Sequence, residues 1–230
     1  IEGRNLKGVH FALELLSQQN RILEGIVIPS KDIINYKGKK VLVIGGGDTG
    51  SDCVGTANRH KAASVTQIEI MPQPPVGHNP ATPWPLYPQV LKTSSSHEEG
   101  CIRRWNLASV RFIGDKNTLK GVEVEEVEWQ PTEKEDRPEM RKTGRTEVIE
   151  ADLVFLAMGF IHPEQEGLVK ELSLAVDARG NIAVDPVTNQ IADTNLFASG
   201  DAVSGASLVV RAMASGRKVA AAIDQYLKNK

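Results

Sequence analysis

Residues 41–52 read VLVIGGGDTGSD, a hydrophobic run that passes through three consecutive glycines into a polar, helix-opening stretch. Lys40–Ile44 is short and almost continuously apolar, the pattern of a strand buried in a parallel sheet. From Asp48 to about His60 the spacing is helical, and SVTQIEI (64–70) is β-rich. Strand, glycine loop, helix and strand make a βαβ unit, so the chain is expected to be α/β.

The glycines fall as Gly45-x-Gly47-x-x-Gly50. In that spacing the first allows a tight turn, the second lets backbone N–H groups approach a pyrophosphate, and the third lets the helix pack closely on the strand. The diphosphate then meets the positive end of the helix, where free N–H groups point at it. Thr49 and Asp48 line that approach. A structural turn without a ligand is the competing account, which the strand before and the helix after make weaker. Glu69 lies near the end of SVTQIEI, about 20 residues beyond Gly50. A carboxylate there accepts a hydrogen bond from a ribose 2′-OH and repels a 2′-phosphate. The residues that follow, Ile70, Met71 and Pro72, bring no arginine pair. This favours NADH over NADPH, with an exposed strand-edge glutamate as the alternative.

The end of the chain suggests a second cofactor. TNLFASGDA reads as a buried strand ending in Gly200-Asp201, and a helix is expected from about Ala206 to Leu227. An Asp at a strand end accepts hydrogen bonds from sugar-chain hydroxyls, and the following helix N-terminus favours negative charge. A flavin supplies both, a ribitol chain and an N1 locus that becomes anionic on reduction. Gly205, Ala206, Ala212, Ala214 and Gly216 let that helix lie close to sheet and cofactor. A helix capping an α/β sheet accounts for the same residues without a ligand.

Residues 8–19 carry helical spacing, and GIVIPS (25–30) is strand-like. Residues 71–88 hold seven prolines, a density no regular element survives, so a long extended loop is expected, either a rigid connection or a lid or docking surface. LASVRFI and LKGVEVEEVEW read as a hairpin, and the charged 132–147 stretch as a solvated excursion. ADLVFLAMGF (151–160) returns as a buried strand, and GNIAVD as a further strand pair.

A net charge of -2 over 230 residues leaves no basic footprint for nucleic acid. No apolar stretch approaches the ~20 residues needed to span a bilayer, and no signal-peptide pattern opens the chain. Cys53 and Cys101 stand apart without a CxxC, so neither a zinc knuckle nor a redox dithiol is encoded here, and a reducing cytoplasm is the expected compartment. His10, His60, His78, His97 and His162 have no ligand spacing and read as surface or capping residues, so no metal site is expected. Hydride transfer between nicotinamide and flavin needs positioning more than proton shuttling, so no catalytic acid or base is nominated.

Taken together, GKKVLVIGGGDTGSDCVGTANRH, IEIMPQPP, NPATPWPLYPQVLKTSSSHEEG, ADLVFLAMGF and NLFASGDAVSGASLVVRAMASGRKVAAAI closely resemble the small (beta) subunit of glutamate synthase. They also resemble the matching C-terminal region of single-chain glutamate synthases. The likeness runs from GRNLKGVHFA onward, and the Pro/Trp-rich segment makes it specific within the two-dinucleotide-binding flavoproteins. It implies a Rossmann-like NAD(P)-binding domain inserted into a glutathione-reductase-like FAD-binding domain, here incomplete. Residues 1–36 would be a linking helix and strand, 37–160 the NAD(P)H-binding domain, and 161–230 the C-terminal part of the FAD-binding domain. The family passes a hydride from NAD(P)H to FAD. Electrons then cross iron–sulfur clusters to the large subunit, which makes glutamate from glutamine and 2-oxoglutarate. Gly45, Gly47 and Gly50 match the family's NAD(P) fingerprint, and Ala157, Met158 and Gly159 match its short motif near the domain junction. Gly200 and Asp201 match the FAD ribitol motif, with Ser207 and Leu208 at the flavin-facing helix start.

Two family features are missing from this sequence, an N-terminal cysteine-rich region for the clusters and an earlier GxGxxG for the ADP half of FAD. The chain opens on Ile1, and IEGR has the form of a protease-site scar while also reading naturally into NLKGVHFALELL. The expectation is an excised piece whose other FAD anchor lies upstream, which binds a nicotinamide dinucleotide, holds FAD weakly or not at all, and is inactive alone. The family's usual label names NADPH, whereas Glu69 points to NADH. Two rivals are another flavoprotein reductase of the same fold, ferredoxin- or disulfide-linked, and a non-catalytic module that docks through residues 71–100. The missing CxxC argues against the disulfide type.

Overall fold

The computed structural model describes residues 1–86, 89–131, 138–192 and 194–229, which form two compact units, Ile1–Met158 and Gly159–Lys230. The first unit contains, in order, β1 (Val9–Phe11), α1 (Ala12–Leu23), β2 (Lys40–Ile44), α2 (Asp48–Arg59), β3 (Ser64–Ile68), α3 (Ser95–Glu98) and β4 (Ile102–Arg104). Then come β5 (Leu107–Asp115), β6 (Thr118–Gln130), β7 (Glu139–Glu150) and β8 (Leu153–Leu156). Five strands form a parallel sheet in the order β1-β8-β2-β3-β4, and three form an antiparallel sheet, β5-β6-β7.

Period-two alternation in the parallel strands explains why both faces are covered. In β2, Val41 and Val43 join one cluster with Ala12 and Leu15 of α1 and Cys53, Val54 and Ala57 of α2. Leu42 and Ile44 point the other way, into a cluster with Phe112, Leu119, Val122 and Val124 of the antiparallel sheet. β8 divides the same way, with Leu153 and Phe155 on the helix side and Val154 and Leu156 on the sheet side. Two helices, a parallel sheet and an antiparallel sheet are therefore stacked in three layers. The carboxyl ends of β2, β3 and β4 lie side by side, and open α/β sheets receive their ligands at such an edge.

Several local expectations change. Val9 was expected in a helix, but β1 pairs with β8 (Val9↔Val154) and the helix begins at Ala12. GIVIPS forms no strand; Val27 is exposed, and only a single 3-10 turn, Ser30–Asp32, follows. The charged excursion is corrected more strongly, because its described part belongs to β7, paired antiparallel with β6 from Gln130 to Gly121. Its charges make cross-strand pairs, Lys142 to Glu125 at 3.0 Å and Arg145 to Glu126 at 2.7 Å, so a run that looked like solvated loop is the wet edge of a sheet. Residues 132–137 of that excursion, and Tyr87 and Pro88 of the proline-rich segment, lie outside the described residues. The rest of 71–88 carries no helix or strand, as its proline content requires.

The second unit holds α4 (Leu168–Glu171), α5 (Asp201–Ser204) and α6 (Val209–Lys228) around a small core of Val169, Ile182 and Ile191. Here the expected strands shrink. GNIAVD contributes one isolated bridge, Val176↔Ile182, and TNLFASGDA another, Gln190↔Phe197, with residues 196–200 half-buried. Neither run has a continuous ladder partner among the described residues, and an unpaired apolar run does not become a strand. The last helix starts at Val209, not Ala206, because Gly205 at φ +81° ends the short α5 first.

Phe155 is fully buried between α1 and α2, its ring 5.9 Å from that of Tyr36. Phe155→Ala should lower the unfolding free energy of the first unit by about 3–5 kcal/mol, whereas Val148→Ala on exposed β7 should change it by less than about 0.5 kcal/mol. Urea titration followed by tryptophan fluorescence checks this, since Trp84, Trp105 and Trp129 all lie in that unit.

Candidate dinucleotide-binding site

β2 ends at Ile44, and the chain turns at Gly45 with φ +124°, a region L side chains rarely adopt. A Cβ there would also stand 2.2 Å from the Ala157 carbonyl oxygen at the end of β8. Gly47 is the N-cap of α2 in extended conformation, exposed, with nothing within 4 Å of where its Cβ would be. It has no side chain to cap the helix, and the Ser51 N–H makes the first bond back to the Gly47 carbonyl. The amides of Asp48, Thr49 and Gly50 are thus the orphan donors that every helix start leaves. Gly50 is buried, and a Cβ on it would lie 2.3 Å from the Gly45 carbonyl oxygen. Asp48 is exposed and Thr49 half-buried at the same helix start. The arrangement is a bare, uncapped positive helix end, reached by a loop that is closed to side chains at Gly45 and Gly50 and open at Gly47, which is chemistry that holds a phosphate group.

Glu69 follows directly on β3 and turns its carboxylate into this loop. Oε2 accepts the Gly46 N–H at 2.5 Å, and Oε1 accepts the amides of Ile70 at 2.8 Å and Met71 at 3.3 Å. A cleft of about 210 Å³ opens beside it, with Gly46, Gln67, Arg103, Arg104 and Trp105 among its walls. Both flanks of the proline-rich segment, through Pro72 and Pro74 and again through Leu91 and Lys92, complete the lining. The two arginines come from the end of β4, the strand next to β3, although none follows β3 directly in sequence. They were hidden because β4 is three residues long and enters the sheet only after the long loop. Arg104 is occupied by a bidentate pair with Glu147 of β7, which holds that carboxyl below its ordinary range. Arg103 lies over the Trp105 ring at 5.2 Å, and its buried Nε has no hydrogen-bond partner among the described residues.

Gln67 and His97 are the residues that sequence reasoning missed. Gln67 is buried on β3 and donates its Nε2–H to the Gly45 carbonyl at 2.8 Å. His97 of α3, read from sequence as a surface or capping residue, is buried with Nε2 at 2.8 Å from Gln67 Oε1. Its capping role is real, since the Ser94 N–H donates to His97 Nδ1 at 3.1 Å. The only sequence signal was a polar residue on the same face of β3 as the buried Val65.

The other nominated residues stand as follows. Ala157 meets Gly45 through its carbonyl, and Met158 is exposed at the end of the first unit. Gly159 opens the second unit at φ +84°. Gly200, at φ +64°, is the N-cap of α5, and its N–H donates to Ser215 Oγ of α6 at 3.2 Å. Asp201 is exposed as the first residue of α5, not the end of a strand. Ser207 is exposed, and Leu208 is the half-buried N-cap residue of α6.

A family profile described as pyridine nucleotide-disulphide oxidoreductase matches residues 2–216. The chain belongs to the pyridine nucleotide-disulphide oxidoreductase family. Among its relatives is the "Glutamate synthase [NADPH] small chain" of Mycobacterium tuberculosis (strain ATCC 25618 / H37Rv), 42% identical over 231 residues, which cover 99% of this chain and 46% of that protein. The "Glutamate synthase [NADH]" of Saccharomyces cerevisiae is 37% identical over 241 residues, 99% of this chain and 11% of that one. The resemblance to glutamate synthase read from sequence is therefore borne out, and the chain spans about half the length of the small chains it matches. Among solved structures, Mycobacterium tuberculosis FprA in complex with NADPH superposes with a TM-score of 0.66 at 15% identity, over 100% of this chain and 60% of that one. Thioredoxin reductase of T. acidophilum gives 0.57 at 23% identity, over 94% and 57%. These two likenesses establish the fold.

The thiols of this family member are separate. Cys53 is free and buried in the helix-side core, where loss of hydration pushes its pKa up to about 12 and keeps it protonated. Cys101 is half-buried and also free.

Gly50→Ala places a methyl group against a backbone oxygen and within 2.8 Å of Gln67 Nε2, so the loop must move. The variant should lose about 1–3 kcal/mol of stability and at least tenfold in nicotinamide dinucleotide affinity, measured by calorimetry. Gly216→Ala in α6 meets open space and should be neutral or stabilising by up to about 1 kcal/mol.

Proposed function

We propose that this chain is the NAD(P)H-oxidising, electron-input part of a glutamate synthase. The observation that carries the proposal is the uncapped α2 N-terminus behind a side-chain-free loop at the end of β2, with a fixed carboxylate on the neighbouring strand end. In this reading Gly45, Gly47 and Gly50 admit the diphosphate, and the amides of Asp48 and Thr49 bind it. Glu69 takes the ribose 2′-OH. Ala157, Met158 and Gly159 form the junction motif. In the second unit Gly200, Asp201, Ser207 and Leu208 form part of an FAD site. The residues fit that group chemically: an exposed Asp201 carboxylate suits ribitol hydroxyls, and the N-terminus of the long α6 suits negative charge. When bound, NAD(P)H supplies a hydride that FAD accepts; the chain's own residues bind, orient and shield.

The relatives support the rest of the assignment. Electrons would leave through iron–sulfur clusters to a glutamate synthase large subunit, which forms glutamate from glutamine and 2-oxoglutarate. Residues 37–160 would be the nicotinamide-binding domain, 161–230 the C-terminal part of the FAD-binding domain, and 1–36 their link. Among the described residues no helix is long and apolar enough to cross a membrane, and the net charge of -2 offers nothing to nucleic acid. A cytoplasmic location follows from the proposed reaction. The middle of the proline-rich segment has a second use: Val76, Trp84 and Leu86 are exposed, which suits contact with the large subunit.

The names of the relatives divide between NADPH and NADH. We take NADH to be preferred, because three backbone amides fix the Glu69 carboxylate at the strand end where this reading puts the ribose. Arg103 tempers that preference, while Arg104 is engaged by Glu147. Glu69→Ala should narrow the gap between NADPH and NADH dissociation constants by roughly tenfold. An unchanged ratio removes Glu69 as the discriminator, and a wild-type chain that binds neither dinucleotide removes the functional reading itself.

A further inference from the structure

One peptide unit of the loop is gripped at both ends. The Gly45 carbonyl accepts from Gln67 Nε2 at 2.8 Å, and the N–H of the same peptide plane, on Gly46, donates to Glu69 Oε2 at 2.5 Å. A peptide is rigid and planar, so fixing its oxygen fixes the direction of its N–H. Behind Gln67 stands His97. The Ser94 N–H can only donate, so the His97 Nδ1 it meets at 3.1 Å must carry the lone pair. The ring proton is therefore on Nε2 and is donated to Gln67 Oε1 at 2.8 Å. This settles the amide orientation too, leaving Gln67 Nε2–H for Gly45. The chain of donors runs one way, from Ser94 through His97 and Gln67 to the loop carbonyl, so each bond strengthens the next. Gln67 is 2% exposed and His97 8%, so water offers neither a substitute partner.

We propose that His97, acting through Gln67, is a positioning residue for the dinucleotide loop, and that its neutral form is required for tight diphosphate binding. The inference rests on the proposed function, since the loop is the diphosphate site only in that reading. A second proton would sit on Nδ1, where the Ser94 N–H now donates; Ser94 Oγ, 3.0 Å from the same nitrogen, would accept it, and the Ser94 N–H would lose its acceptor. The ring would turn toward Ser94 Oγ and away from the Ser94 N–H, and Gln67 would lose its guide. Glu98 of α3 and Glu99, which pairs with Arg59 of α2, follow His97 in sequence; Cys101 and Arg103 come from the β4 side, and Arg103 is the charge that acts on the ring. Burial, and then the Arg103 charge, hold the His97 pKa below its ordinary value of 6.5. The sign follows: neutral His97 prevails at and above neutral pH, and binding weakens only as pH falls below that value. The same lowered pKa means that folding stability also declines on the acid side.

Calorimetry with ADP-ribose, which carries the diphosphate and survives acid, and with NADH near neutral pH tests this on the whole chain from about pH 5 to 8. Wild-type affinity for ADP-ribose should be flat above neutrality and fall roughly tenfold toward the acid end. His97→Ala should bind about tenfold more weakly at every pH. His97→Gln, which keeps an N–H donor but cannot titrate, should recover most of the neutral-pH affinity and lose the acid fall. Gln67→Glu sets an oxygen against the Gly45 carbonyl and should bind as poorly as His97→Ala. If His97→Ala does not fold by circular dichroism, the wild-type and His97→Gln profiles decide. Equal affinity in all variants, or the same acid fall in His97→Gln as in wild type, overturns the inference alone. A wild type that binds neither ligand overturns it together with the functional reading.

Discussion

The site is arranged around the carbonyl of Gly45, which is crowded on two sides. Gly50 approaches it so closely that a methyl group would stand at 2.3 Å, and Gln67 donates to it from below. That approach brings the start of α2 onto the ends of β2 and β3, and it leaves the helix amides facing outward. Gly45 itself is pressed against Ala157, so β8 sets the other wall. Backbone meeting backbone at these distances admits only glycine.

The three layers exist to hold this edge rigid. Alternating residues of β2 and β8 bury one face under α1 and α2 and the other under the β5-β6-β7 sheet. Loop geometry is then set by strands packed on both sides. The charged pair Arg104–Glu147 reaches the same edge from β7, tying the antiparallel sheet to the cleft wall. As an exposed pair it contributes little to stability, and its effect is to keep Arg104 from serving a ligand.

Much of this was legible in the sequence where structure is decided locally. The β2–loop–α2–β3 unit follows from apolar periodicity and glycine spacing within thirty residues or so. Elements decided by distant partners were not legible. β1 is three residues long and exists because β8 accepts it in register. β7 reads as a solvated excursion because its charges hide the alternation, yet those charges pair across to β6. The run before Gly200 looked apolar enough for a strand but has only an isolated bridge. At the site, Gly45, Gly47, Gly50 and Glu69 announced themselves through a mechanical reason for each. Gln67 and His97 did not, since a hydrogen bond between β3 and a helix beyond the proline-rich segment leaves no spacing to find. Arg103 and Arg104 were absent from the expected place after β3 and present in space at the end of β4.

The central claim is that backbone amides at the mouth of α2 bind the diphosphate of a nicotinamide dinucleotide. Amide chemical shifts of the isotope-labelled chain, followed while NADH is added, test it most directly. The largest saturable changes should fall on Gly46, Gly47, Asp48, Thr49 and Gly50. Binding that leaves those amides unmoved while shifting others, or no binding at all, contradicts the account.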